Sequence, residues 1–187
     1  MRYKEYNANN VLEKSFKLFW ANGFRGTSIN EIVNVTGVNR FSLYHEFENK
    51  KGILYASLNL YRDRYCQEKL DYLQKEGDLP DILKGFYLSF IDENNAIPGC
   101  YFIHIATELA DKDEKVRAIV DTYISEVESR LNALLQREGI SSESSNLLAR
   151  HFLGLYCTAM SFCLIHTKDQ REKHVETGIK VILKNYV

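Results

Sequence analysis

The chain is poor in almost everything that interrupts a helix. Its 187 residues include two prolines and ten glycines. The stretches between them repeat with a 3.6-residue period, which excludes a sheet-rich fold and predicts an all-α one. No apolar run approaches the roughly 20 residues needed to cross a bilayer, and the first residues are polar and charged rather than an apolar leader. The expectation is a cytoplasmic protein with no membrane partner. The four cysteines, Cys66, Cys100, Cys157 and Cys163, lack Cys-x-x-Cys spacing, and the five histidines are scattered. Reduced thiols and no metal site are therefore expected. There is no nucleophile–base motif and no phosphate loop, which argues against an enzyme, and no cofactor is expected. Repeats and low-complexity segments are also missing.

Charge of one sign is scarce too, with a net of −1, which argues against a general nucleic-acid coat. Its distribution is uneven. Residues 1–52 hold eight Lys or Arg against five Asp or Glu, net +3, which leaves −4 on the remainder. A mildly basic head on an acidic body localises phosphate attraction at one end.

What is present is concentrated in residues 27–47, TSINEIVNVTGVNRFSLYHEF. Ser28 and Glu31 fit a capping box. Ile29, Ile32 and Val33 mark a buried face, and Gly37 suits the left-handed stop. Val38 turns inward, and Asn39 can cap the next helix. Leu43 and Phe47 pack inward at i, i+4, which leaves Arg40, Phe41, Ser42, Tyr44 and His45 outside. Two such helices around a tight turn form either an ordinary helical hairpin or a helix-turn-helix whose second helix enters the major groove. The outer face has no acid before Glu46 and carries two aromatics, which favours the second reading.

The flanks add context. Leu12, Phe16, Phe19 and Trp20 predict an amphipathic helix over residues 8–22 that ends at Gly23, with Asn7 or Asn10 as its cap. A long helix starts around Lys50. The runs VLEKSFKLFWANGF, TSINEIVNVTGV and SLYHEFENKKGIL resemble the TetR family of bacterial repressors in order and spacing, over about a quarter of the chain. Two positions depart from the family pattern. Asn39-Arg40-Phe41-Ser42 replaces a Ser-Lys-Gly-Thr-like run. Glu46 stands where the family has a histidine, which here is one residue earlier at His45. Glu46 should point aside or pair with a lysine.

The resemblance implies a three-helix DNA-binding head over residues 1–50. A larger ligand-binding and dimerisation domain follows over 51–187. It also implies a double-stranded operator as partner, and release of repression by a small-molecule effector. Arg40 is the expected base reader, its planar fork matched to guanine O6 and N7. Phe41 either meets a thymine methyl or folds back onto the bundle. Ser42 reaches a base or a phosphate. Thr27, Ser28, Tyr44, His45 and Lys50 are expected phosphate contacts, and Asn39 caps beside them. Lys51 reads as a solvated charge.

Further helices are expected from about Lys50 to Lys75 and from Leu79 to about Asp92, then a break at ENNAIPGC. Others run from Tyr101 to about Ala110, from Asp113 to Gly139, from Ser141 or Ser142 to about Lys168, and from Gln170 to Tyr186. Pocket candidates are Tyr55, Tyr61, Tyr65, Phe86, Phe90, Cys100, Phe102, His104, Tyr123, Phe152 and Tyr156, although aromatics at helical spacing equally serve a core. The last two helices are apolar beyond one stripe, so each buries two faces. A monomer core would satisfy this. In the family these helices form the interface of a homodimer, which assigns Phe152, Leu155, Tyr156, Ala159, Met160, Phe162, Cys163, Val175, Ile179, Ile182 and Leu183 to it. The GCYFIHIATELA run resembles a family subset with Gly-Cys at the start of the sixth helix, some of which sense electrophiles or oxidants. Cys100 is then a thiol activated by a helix N-terminus, or a small buried hydrophobe. The rival to a DNA-binding regulator is a scaffold dimer that has lost recognition.

Overall fold

The computed structural model describes residues 6–91 and 99–184, and every regular element among them is helical. The head is built from α1 (Ala8–Gly26), α2 (Ile29–Thr36) and α3 (Arg40–Phe47). From it runs α4 (Lys50–Tyr61), which continues without a break through a π turn (Arg62–Cys66), α5 (Gln67–Asp71) and a 3-10 turn (Tyr72–Gln74). The remaining helices are α6 (Leu79–Leu88), α7 (Tyr101–Leu109), α8 (Glu114–Arg137), α9 (Ser142–Ser161) and α10 (Lys168–Lys184).

The periodic apolar residues of the head bury as expected: Phe19, Ile32 and Leu43 are fully enclosed. Each such side chain contributes about 1.5–3 kcal/mol relative to exposure. α1 lies against both α4 and α7, so the head rests directly on the rest of the molecule. In the larger half α8 packs on α9, α9 on α10, and α10 on α6.

Three boundaries differ from expectation. α1 is broken at Gly23 (φ 74°), as the sequence indicates, but a last turn to Gly26 follows the break. The long fourth helix contains a π turn that no periodicity announces. α9 stops at Ser161 rather than near Lys168, because a tight turn at Phe162–Leu164 lets a new helix begin. That start has its own reciprocal cap: Gln170 Oε1 accepts from Thr167 N–H and Thr167 Oγ1 from Gln170 N–H. Asp92, Tyr186 and the ENNAIPGC break before Gly99 lie outside the described residues.

The expected dimer residues are the clearest correction. Phe152, Leu155, Tyr156, Ala159, Met160, Cys163, Val175 and Ile179 are all buried within the single chain. They form the seam between α9, α10 and the helices beneath, so they cannot also be a free face. Gly178 permits that seam, since a β-carbon there would collide with Leu155. Phe162, Ile182 and Leu183 are half-buried. The apolar side chains left outside on this end are Leu147, Ile165 and Val181.

Candidate functional site

The helix-turn-helix is closed at each end by its own polar residues. Ser28 Oγ accepts from Glu31 N–H at 3.2 Å while Glu31 Oε2 accepts from Ser28 N–H at 2.6 Å, the reciprocal pair that starts α2. Gly37 takes the left-handed conformation (φ 71°) at the end of α2, and Asn39 caps α3 by accepting from Ser42 N–H.

On α3, Arg40, Phe41 and His45 are exposed and Tyr44 is half-buried. These four line one shallow surface pocket. Phe41 is 70% exposed, so it does not fold back onto the bundle; its ring lies 6.4 Å from that of His45. The Arg40 guanidinium donates to Asn30 Oδ1 at 2.8 Å, which holds it across α2. Ser42 is half-buried, and its carbonyl accepts from the Tyr6 hydroxyl, tying the segment before α1 to the recognition helix. Glu46 is exposed and forms no ion pair among the described residues.

Three expected contacts are placed differently. Thr27 is buried and its hydroxyl donates to the Gly23 carbonyl at 2.8 Å, so its side chain cannot reach a phosphate. Lys50 is partly engaged inside the protein: its ammonium donates to the carbonyls of Phe24 (2.9 Å) and Thr27 (2.7 Å) and sits over the Phe24 ring. Lys51 is exposed, as expected of a solvated charge, but its ammonium also pairs with Asp113 at 2.6 Å.

The expected pocket residues divide into three groups. Phe86, Phe90, Phe102, Phe152 and Tyr156 are fully buried, with Phe86, Phe90 and Tyr156 in mutual ring contact and Phe102 stacked on Tyr123. They are packing. Tyr65 faces α1, where its hydroxyl donates to Glu13 at 2.7 Å, and Tyr55 donates to Asp113. Cys100 and His104 reach a cleft of about 160 Å³, whose other walls are Trp20, Gly99, Ile103, Thr107, Met160 and Ser161, while Tyr55 lines a separate surface cleft of about 410 Å³ with Phe47, Ala56 and Asn59. Gly99 (φ 99°) is needed there, since a β-carbon would stand 3.0 Å from the Met160 carbonyl. A larger apolar groove of about 700 Å³ opens between α6 and α10, along Leu79, Pro80, Ile179 and Leu183.

Behind the cleft lies a polar cluster in an otherwise apolar core. Tyr123 and Tyr156 share a hydrogen bond at 3.0 Å, and the buried Tyr61 hydroxyl has no hydrogen-bond partner among the described residues. Cys66, brought in by the π turn, and Cys100 complete it. Cys100 occupies the N-cap position of α7 but its side chain makes no capping hydrogen bond. Burial pushes its thiol up, and the Tyr156 hydroxyl and the Ile103 and Phe102 N–H groups offset this only in part. Cys66, Trp20 and Ser161 were not anticipated, because nothing in sequence spacing brings the π turn, α1 and the end of α9 to one place.

The chain is similar to known proteins in sequence and in fold. Residues 11–56 match the family model described as bacterial regulatory proteins, tetR family. The HTH-type transcriptional repressor ComR of Escherichia coli (strain K12) is 32% identical over 118 residues, which are 58% of this chain but only 54% of ComR. The uncharacterized HTH-type transcriptional regulator YezE of Bacillus subtilis (strain 168) is 19% identical over 97% of this chain and 98% of its own length. Among solved structures, a cysteine mutant of the TetR family regulator CifR in complex with 26-bp double-strand operator DNA superposes with a TM-score of 0.82. It is 17% identical and covers 96% of this chain and 98% of that one. Reduced E. coli NemR gives 0.73 at 22% identity, with 95% of each chain covered.

Proposed function

We propose that this chain is a TetR-family repressor that binds a palindromic operator as a homodimer and is released from it by a small-molecule effector. The carrying observation is the outer face of α3. Phe41 and His45 stand exposed, beside an exposed Arg40 held by Asn30, on a helix capped at both ends with no acidic side chain before Glu46. A solvated hairpin has no use for a 70% exposed phenylalanine beside a held guanidinium.

In this reading residues 1–50 are the DNA-binding head and residues 51–187 the regulatory domain. Arg40 reads guanine, Phe41 meets a thymine methyl, and Ser28, Asn39, Ser42, Tyr44 and His45 set the register on phosphates. Lys50 supports the corner behind them. The exposed apolar residues of α9 and α10, Leu147 and Val181, belong to the dimer face, which places two heads for two half-sites. The cleft lined by Cys100 is the candidate effector entrance, and Cys100 serves as a thiol sensor once that entrance opens. No membrane partner enters this reading, and none of the described helices is long and apolar enough to cross one; the site of action is the cytoplasm.

Gel shift and footprinting on the DNA flanking the protein's own coding region test this across a salt series. The expected result is a protected palindrome, with log affinity falling by about 0.9 per phosphate contact per unit log salt. Arg40→Ala should lower affinity and relax one position in each half-site. Absence of protection at every site at low salt would sink the reading in favour of a scaffold dimer.

A further inference from the structure

Glu108 lies near the end of α7, yet its carboxylate reaches α1. Oε2 accepts from Phe24 N–H and Oε1 from Arg25 N–H, each at 2.7 Å. Those two N–H groups lack helical partners because Gly23, at φ 74°, ends the regular part of α1 just before them. A carboxylate from another helix thus serves as the cap for the turn that follows the break. From the opposite side the Lys50 ammonium takes the carbonyls of Phe24 and Thr27. Its charge also faces Glu108, which partly offsets the effect of burial on the lysine. The corner between α1 and α2 is therefore gripped by its donors on one side and its acceptors on the other.

The location gives the grip its consequence. Ser28, where the helix-turn-helix starts, follows directly. The other end of α7 is Gly99–Cys100, packed against the Met160 carbonyl at the cleft. A nine-residue helix spans about 13 Å and moves as a rod. A shift at the cleft therefore arrives at the corner as displacement of one carboxylate from two N–H groups.

We propose that Glu108 is a positioning residue for operator binding, fixing the angle of the head through the Phe24 and Arg25 N–H groups so that movement of α7 releases that angle. The proposal rests on the DNA-binding reading above. It is tested with full-length Glu108→Ala and the near-isosteric Glu108→Gln, by amide hydrogen exchange and by binding to the footprinted operator and to a copy with one base pair inserted between half-sites. Losing charged hydrogen bonds to two backbone donors should accelerate exchange at Phe24 and Arg25 at least tenfold and weaken operator binding about tenfold. The variants should also discriminate less than wild type against the lengthened operator, which a merely destabilised head would not do. Faster exchange with unchanged affinity and spacing preference would overturn the proposal. Wild-type protein that protects no DNA would instead remove the reading beneath it, with exchange at the two amides still reporting the clasp.

Discussion

Tyr123 on α8 and Tyr156 on α9, both fully buried, share a hydrogen bond of 3.0 Å inside the core. Burial holds both well above the ordinary phenol range, so the pair is neutral at any physiological pH. Tyr156→Phe leaves Tyr123 an unmatched buried hydroxyl and should cost about 1–3 kcal/mol in denaturant unfolding. The double variant with Tyr123→Phe removes both groups and should cost less than the sum of the singles. Additive losses would show that the pair is not coupled.

The thiols give a second outcome. Cys66, Cys100 and Cys163 are buried, and Cys157 is half-buried. Burial raises all four above the ordinary thiol value. A maleimide label read by mass spectrometry should therefore enter Cys157 first, with Cys66 and Cys100 protected until the core opens. Early labelling of Cys100 in the native protein would restore the activated thiol expected from its place at a helix start.

Acid stability should depend on Asp113. Burial raises its carboxyl, but Lys51, the Val116 N–H and the Tyr55 hydroxyl together outweigh this and hold it below the ordinary carboxylate value. A depressed carboxyl contributes stability above its unfolded value of about 3.9, and the contribution is lost as pH falls through the lower folded value. Asp113→Asn should therefore be less stable than wild type at neutral pH, with the gap closing below about pH 4. Thermal melts across pH 2–7 measure this, and a gap that persists in acid would mean the ion pair is not its source.

Much of the head was legible because its signals are local. The Ser28–Glu31 box, the left-handed Gly37, the Asn39 cap and the inward Leu43 each follow from residues a few positions apart. The failures concern partners distant in sequence. A hydroxyl near a helix start, such as Thr27, suits a phosphate contact, whereas the Gly23 carbonyl claims it. The ion-pair partner of the exposed Lys51 has no local signal because Asp113 is 62 positions away. The Glu108 clasp has no sequence signature, since nothing in α7 announces that its carboxylate caps a turn of α1. Helix apolarity told that α9 and α10 bury two faces but not which residues belong to which.

That last ambiguity is open to direct test. Phe152 is fully buried and its carbonyl accepts from the Tyr87 hydroxyl at 2.7 Å, whereas Leu147 and Val181 are 46% and 54% exposed. Phe152→Ala should therefore destabilise the fold by about 3–5 kcal/mol, because a cavity opens in packed surroundings. Leu147→Glu and Val181→Glu leave the single-chain core untouched, so a monomer's stability should change by no more than about 0.5 kcal/mol. On an apolar dimer face, however, each places two carboxylates near the twofold axis, once per protomer. Sedimentation should then show dissociation at concentrations where the wild type is dimeric, with operator affinity falling in step. If both glutamate variants remain dimeric and bind operator as wild type does, the two heads are joined through a different surface.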